Sequence, residues 1–91
     1  MISGVALGDV NRDGKLDVIT ANDGSNTVSV LLGNGDGTFQ AKQDLAAGAG
    51  PNGVALGDVN HDGALDIAIV NAGGPSVSIF LGNGDGTFQT P

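Results

Sequence analysis

The chain has 91 residues, a formal net charge of −7 and no cysteine, and all ten of its acidic residues are Asp. Helices usually carry Glu and Lys on their solvent face, whereas Asp, Asn and Gly favour turns, so this composition argues against a helical protein. The lack of cysteine excludes a disulfide scaffold and Cys-ligated metals. Three Lys and Arg residues are too few to neutralise a phosphate backbone, and no apolar run approaches the roughly 20 residues of a membrane span. We therefore expect neither nucleic acid nor a membrane as a partner.

A tandem repeat organises the sequence. The segment G-V-A-L-G-D-V-N at residues 4–11 returns at residues 53–60, and G-N-G-D-G-T-F-Q at residues 33–40 returns at residues 82–89. Both offsets are 49 residues. A period of this size is typical of solenoids, propellers and arrays, and it predicts two repeats, residues 1–49 and residues 50–91.

Four short strands are predicted in the first repeat. In chain order they are residues 5–10, 16–21, 27–32 and 38–45, which are rich in Val, Ile, Leu and Thr and are bounded by Asn, Asp and Gly. No segment offers the 3.6-residue apolar stripe of a helix. Four strands in a period of about 40–50 residues are typical of a β-propeller blade. We therefore predict an all-β fold with one four-stranded antiparallel sheet per repeat, the second of them incomplete.

Turn residues separate these strands. Residues 22–26 link strands two and three, residues 33–37 link strands three and four, and residues 46–52 cross to the second repeat. Asp36 and Asp85 lie in the hairpin turns, where a turn role is favoured over a weak second metal site. Phe39, Phe80 and Phe88 are expected to pack between the sheets.

An acidic loop of nine residues lies between the first two strands of each repeat. It reads D-V-N-R-D-G-K-L-D at residues 9–17 and D-V-N-H-D-G-A-L-D at residues 58–66. Oxygen side chains occupy positions 1, 3, 5 and 9, and Gly at position 6 allows the turn that presents the position-7 carbonyl. This spacing is used to wrap a hard cation such as Ca²⁺. The predicted ligands of one ion per repeat are Asp9, Asn11, Asp13, Lys15 and Asp17, and Asp58, Asn60, Asp62, Ala64 and Asp66.

Other interpretations of this loop are less favoured. An EF-hand requires Glu at position 12, where the chain has Thr20 and Ile69, and it requires helices on both sides. Tandem thrombospondin-type calcium repeats follow one another directly, without the 40 residues that separate the loops here. A metal-free Asx-turn remains open, although it packs three carboxylates together. Two unit charges about 5 Å apart repel by roughly 3 kcal/mol at an effective dielectric of 20.

The combined motifs resemble a known family. The 49-residue period, the D-x-N-x-D-G-x-x-D loop and the G-N-G-D-G-T-F turn are similar to FG-GAP (VCBS-type) repeats, the blades of integrin-α-like β-propellers. The Gly-Ala-Gly-Pro at residues 48–51 departs from the sequence that names the family. The resemblance implies Ca²⁺ in the loop between strands one and two of each blade, and an extracellular or cell-surface role in adhesion or binding.

A calcium-binding scaffold without catalysis is the function we expect. His61 is the only histidine and lies at loop position 4, where a side chain should face solvent, and no nucleophile–base pair stands out. A lectin-like, carbohydrate-binding propeller is the alternative, although the chain lacks the Trp and Tyr that sugar sites usually present. Residues 1–4 show no signal-peptide features, which is compatible with a cytoplasmic protein or with a mature or excised piece.

Assembly with further blades is also expected. The second repeat offers only about three strands, and repeat units generally bury their core against neighbours. The chain is therefore expected to form a homo-oligomer or to belong to a longer propeller. Equal two-blade chains allow six blades from three chains or eight from four, but not seven. A glycan or a protein is the expected ligand of such a ring.

Overall fold

The protein is described by a computed structural model that covers residues 2–73 and 76–91; Met1 and residues 74 and 75 of the predicted repeats lie outside this part. Seven strands form two antiparallel sheets in which each strand pairs with the next along the chain. The first sheet contains β1 (Ile2–Gly8), β2 (Asp17–Asn22), β3 (Thr27–Leu31) and β4 (Gln43–Ala46). The second sheet contains β5 (Pro51–Gly57), β6 (Asp66–Asn71) and β7 (Ser76–Phe80). The all-β prediction is confirmed, and no described residue belongs to a helix long and apolar enough to cross a membrane.

The predicted boundary of the first strand was wrong at both ends. Strand β1 begins at Ile2 and ends at Gly8, so Asp9 and Val10 belong to the acidic loop. The backbone N–H of Val10 donates to Asp17 Oδ2 at 2.8 Å. This side-chain acceptor replaces a ladder partner and ends the strand.

The predicted fourth strand was also wrong over most of its length. Strand β4 spans Gln43–Ala46 instead of residues 38–45. Gly35 and Gly37 adopt φ values of 86° and 92°, which keep the chain between β3 and β4 in a turn at these residues. Phe39 retains a single bridge to Gly33. Regular pairing with β3 begins only four residues later, at Gln43.

The two sheets pack face to face through alternating side chains. Their shared core consists of side chains that are at most 1% exposed, namely Val10, Ile19, Val28, Val30, Ile67, Ile69 and Phe80. Full burial of one such side chain contributes about 1.5–3 kcal/mol, so this cluster is the main source of stabilisation. Phe88 packs against the cluster, as predicted, but Phe39 is 43% exposed within this chain.

The turn after the third strand has the same hydrogen bonds in both repeats. Asp36 Oδ1 accepts hydrogen bonds from the Thr38 hydroxyl and from the Thr38 backbone N–H, the latter at 3.0 Å. Asp85 and Thr87 form the equivalent pair. The threonine hydroxyl is the largest influence on the pKa of each carboxyl and holds it below its ordinary value. These contacts agree with the turn role predicted for Asp36 and Asp85.

We predict that Asp36 and Asp85 titrate below their ordinary pKa of 3.8 and that Thr38→Val raises the midpoint of Asp36 alone. Valine keeps the shape of threonine and removes the hydroxyl donor. A lowered folded-state pKa stabilises the protein above pH 3.8, and this contribution is lost as the pH falls through the folded-state value. NMR titration of the side-chain carboxyl carbons measures both midpoints. An unchanged Asp36, or an equal shift at Asp85, would contradict the assignment.

Candidate metal centre

Both acidic loops occupy the same place in their sheets. Residues 9–16 join β1 to β2, and residues 58–65 join β5 to β6. At position 4, Arg12 and His61 each adopt a φ of 58°, and the glycines at position 6 adopt φ values of 81° and 85°. A left-handed conformation costs a non-glycine residue about 1–2 kcal/mol. The loop is therefore held in this shape by the hydrogen bonds of its own acidic side chains.

The first carboxylate of each loop accepts hydrogen bonds from across the loop. Asp58 Oδ1 accepts from the Asp62 N–H at 3.1 Å, and Asp58 Oδ2 accepts from the Gly63 N–H at 2.8 Å. Asp9 accepts from the amides of positions 5 and 6 at 3.2 and 2.7 Å. The Gly63 N–H is the largest influence on the pKa of Asp58 and holds it below its ordinary value. Asp58 is therefore an anion at neutral pH.

The carboxylate at position 5 forms a local turn. Asp62 Oδ1 accepts from the Ala64 N–H at 3.0 Å, and Asp13 Oδ1 accepts from the Lys15 N–H at 2.9 Å. Both Asp residues are exposed. The amide of position 7 is thus fixed by position 5 in both loops, whereas the predicted ligand role of the position-7 carbonyl stays a prediction.

The carboxylate at position 9 has a structural role that the sequence interpretation missed. Asp66 is 1% exposed; its Oδ2 accepts from the Val59 N–H at 2.9 Å and its Oδ1 from the Gly82 N–H at 2.7 Å. Asp17 is completely buried and accepts from Val10 and Gly33 in the same way, each at 2.8 Å. The carboxylate at loop position 9 therefore connects the start of the acidic loop to the glycine that follows the third strand, and we call this pair of hydrogen bonds the clamp.

The glycine whose N–H is bound by the clamp, Gly33 or Gly82, is a signal that the sequence contains. A Cβ atom at Gly33 or Gly82 would collide with the backbone carbonyl of the residue before the clamping Asp, Leu16 or Leu65. Glycine is therefore required there for packing reasons. The pairing of an Asp at the start of the second strand of a repeat, β2 or β6, with a Gly 16 residues later occurs in both repeats.

The second loop brings its three carboxylates together. Asp58, Asp62 and Asp66 each offer one oxygen, and these oxygens lie within 4.8 Å of one another. The side-chain amide of Asn60 lies between two of them, 3.2 Å from Asp58 Oδ1 and 3.0 Å from Asp62 Oδ1. With one orientation of the amide its NH₂ donates to both carboxylates, and with the other its oxygen joins them. Four oxygen ligands from positions 1, 3, 5 and 9 fit a hard cation.

The first loop fits a cation through a different feature. Asn11 Oδ1 is buried and accepts no hydrogen bond from any described residue. An unsatisfied buried acceptor of this kind costs about 1–3 kcal/mol, which a cation at position 3 would offset. Across the described ranges, 2–73 and 76–91, only the second loop brings three carboxylate oxygens as close as 4.8 Å. The two loops therefore share their hydrogen bonds but differ in how closely their carboxylates converge.

The model of the FG-GAP-like repeat family matches residues 9–69. The chain belongs to this family. The match begins at the first Asp of the first loop and continues past Asp66, so both loops lie within FG-GAP-like sequence. FG-GAP-like repeats are structural and binding modules that are typical of extracellular and surface proteins, and the resemblance inferred from the motifs is confirmed. No curated protein and no solved structure matches the chain significantly.

We predict that Asp66→Asn destabilises this FG-GAP-like chain more than Asp62→Asn when metal is absent. An amide at position 66 turns an NH₂ group toward a backbone N–H, and losing that buried hydrogen bond costs about 1–3 kcal/mol. An amide at the exposed position 62 still accepts from Ala64, so the change stays within about 0.5 kcal/mol. Urea unfolding in EDTA measures both, and Asp17→Asn with Asp13→Asn repeats the comparison in the first loop. Equal effects at the two positions would contradict the clamp.

Proposed function

We propose that the chain is a calcium-binding segment of β-propeller blades that serves as a structural and binding scaffold and has no catalytic activity. The observation that carries this proposal is the convergence of Asp58, Asp62 and Asp66 within 4.8 Å. Three carboxylates at this separation repel one another, and a divalent cation converts the repulsion into attraction. The Asn60 amide beside them adds a neutral oxygen ligand after a rotation.

One ion per repeat is proposed, held by positions 1, 3, 5 and 9 of the loop and by the backbone carbonyl of position 7. In the second repeat the ligands are Asp58, Asn60, Asp62, Ala64 and Asp66. In the first repeat they are Asp9, Asn11, Asp13, Lys15 and Asp17. Bound Ca²⁺ would neutralise the carboxylates. The hydrogen bonds of Asp17 and Asp66 fix these two side chains beforehand, which lowers the entropy lost on binding.

The second loop is proposed as the stronger of the two sites. Its carboxylates already converge, whereas the carboxylates of the first loop do not come within the same distance. The first loop also carries Arg12 and Lys15 where the second carries His61 and Ala64. Two additional positive charges in the loop oppose the arrival of a cation.

An extracellular or cell-surface location is proposed together with this function. FG-GAP-like repeats typically belong to proteins of that environment, and extracellular calcium modules have a Kd of about 10⁻⁴–10⁻³ M. Binding in this range makes the stability of the scaffold follow the calcium concentration. At ten times the Kd, each site adds roughly 1.4 kcal/mol.

A carbohydrate-binding propeller is the alternative function, and one observation favours it. The Phe39 ring is 43% exposed and lines a cavity of about 500 Å³ together with Asn34 and Lys15. An exposed aromatic ring beside polar side chains is a common platform for a sugar. A glycan array with the unaltered chain and with Phe39→Ala distinguishes the functions, because only a lectin gives a sugar-specific signal that the substitution removes.

We predict that Ca²⁺ raises the melting temperature and that Asp62→Asn removes the tighter of two binding events in isothermal titration calorimetry. Asp13→Asn should remove the weaker event, since each substitution deletes one ligand charge and keeps the turn. Asp36→Asn is the matched control, because it deletes one carboxylate from a turn outside the loops. An identical melt in Ca²⁺ and in EDTA, or equal loss of heat from Asp36→Asn, would contradict the proposal.

A further inference from the structure

The large apolar side chains that the described residues expose form two surfaces. We use the name front surface for five side chains of the first repeat that are 43–65% exposed, Ile2, Val5, Leu7, Leu16 and Phe39. We use the name back surface for three side chains of the second repeat that are 51–61% exposed, Val59, Val70 and Val77. Val70 and Val77 are cross-strand partners on β6 and β7. Beside Ile2, the first sheet also carries a groove of about 630 Å³.

Every member of the front surface has a packed counterpart 49 residues later. These counterparts are Pro51, Val54, Leu56, Leu65 and Phe88. Pro51 is fully buried, and the other four pack against the buried cluster between the sheets. The approach is close at Gly8 of the first sheet, where an added Cβ atom would lie 2.6 Å from Leu56 Cδ1 and 3.2 Å from Leu65 Cδ1.

Every member of the back surface has a buried counterpart 49 residues earlier. Val10, Ala21 and Val28 correspond to Val59, Val70 and Val77, and all three are at most 1% exposed. The sheet-to-sheet interface inside the chain therefore joins one front-type surface to one back-type surface. One further surface of each type stands exposed at the two ends of the same chain.

We propose that a second copy of this chain places its back surface on the front surface of the first copy, head to tail, and so repeats the internal interface. The 49-residue counterparts of these exposed side chains are already buried or packed at the internal interface. A head-to-tail contact of this kind is heterologous and closes into a ring when the rotation allows. Three or four chains would form a six- or eight-bladed ring. The proposal does not depend on calcium binding.

Polar contacts define the register of the internal interface. Ser3 Oγ donates to the Pro51 carbonyl at 2.6 Å, and Gln43 Nε2 donates to the Gly86 carbonyl at 3.3 Å. Arg12 Nε donates to the Gly84 carbonyl at 3.3 Å. Loop position 4 of one repeat thus covers the glycine turn of the next repeat. In the proposed contact between copies, His61 occupies the corresponding place over the Gly35 turn.

The side chains that cover the two glycine turns, at Gly84 and at Gly35, compensate one another in size. Arg12 covers Gly84 in the second repeat, where loop position 7 is the small residue Ala64. In the first repeat, loop position 7 is Lys15, and its own side chain lies over Gly35, with Cδ 3.1 Å from an added Cβ atom. The incoming residue from another copy is the shorter His61. Each turn would therefore be covered by one long cation, which favours a copy of this chain over an unrelated partner.

The test uses one surface variant on each side and a mixture of the two. Leu7→Arg places a charge on the front surface, and Val77→Arg places one on the back surface. The unaltered chain should sediment as an oligomer of three or four 8.9-kDa subunits, and each variant alone as a monomer. An equimolar mixture should form a dimer, because it contains one intact surface of each type. Gln40→Arg, at an exposed loop position, is the matched control and should assemble like the unaltered chain.

Circular dichroism separates loss of the fold from loss of assembly, and measurements with and without EDTA separate assembly from calcium binding. A variant that has simply lost its fold cannot form the mixed dimer, whereas variants that fold only on assembly regain their sheet signal when mixed. A folded monomer of the unaltered chain, or a mixture without association, would overturn the proposal. So would a Leu7→Arg variant that still self-associates, since this indicates a contact between two like surfaces. Each measurement is repeated in EDTA, so that assembly without calcium binding, and binding without assembly, are recognised separately.

Discussion

In each sheet one buried carboxylate, Asp17 or Asp66, connects two segments that the strand ladders leave unconnected, the acidic loop and the turn after the third strand. Asp17 and Asp66 each accept one backbone N–H from the start of the acidic loop and one from the glycine that follows the third strand. A buried charge is costly unless its lone pairs are hydrogen-bonded, and here both oxygens of each carboxylate are. The acidic loop and the turn after the third strand depend on this clamp for their relative positions. Only glycine, which lacks a Cβ atom, tolerates this close approach, and it is present as Gly33 and Gly82.

The carboxylate oxygens of each acidic loop hold the loop backbone, and the same oxygens are the proposed ligands of a cation. The carboxylates accept backbone hydrogen bonds and so hold a conformation that includes a left-handed Arg12 or His61. In the second loop the oxygens of Asp58, Asp62 and Asp66 also lie within 4.8 Å of one another. The hydrogen-bonded turn and the proposed cation site use the same oxygens, so the turn does not exclude the site. Short Asp side chains suit this loop, since they reach its backbone N–H groups, and the chain has ten Asp and no Glu.

The repeat allows burial to be compared at equivalent positions of the two sheets. An apolar residue is buried in one repeat and exposed in the other according to whether a neighbouring sheet covers it. Val28 is completely buried and Val77, 49 residues later, is 61% exposed. The two residues have the same side chain, so the difference comes from position in the stack. In repeat proteins stability is approximately a sum of repeat terms and interface terms, and the packing between these two sheets is one such interface term.

Much of this architecture was determined by the sequence itself. The 49-residue offset, the strand composition and the loop spacing predicted an all-β pair of repeats, the family and the residues of the candidate site. The turn chemistry at Gly35 and Asp36 and the oxygen spacing from Asp58 to Asp66 are local, because each acts within a few residues, and the repeat is visible by direct comparison of the two halves of the sequence. Strand ends were less predictable, since β1 stops where Val10 finds a side-chain acceptor seven residues away. Only the tertiary structure showed that Asp17 and Asp66 reach Gly33 and Gly82, that Arg12 covers Gly84, and that two sets of apolar side chains are exposed. Each of these depends on residues brought together across strands or sheets, and no local pattern encodes the geometry of that approach.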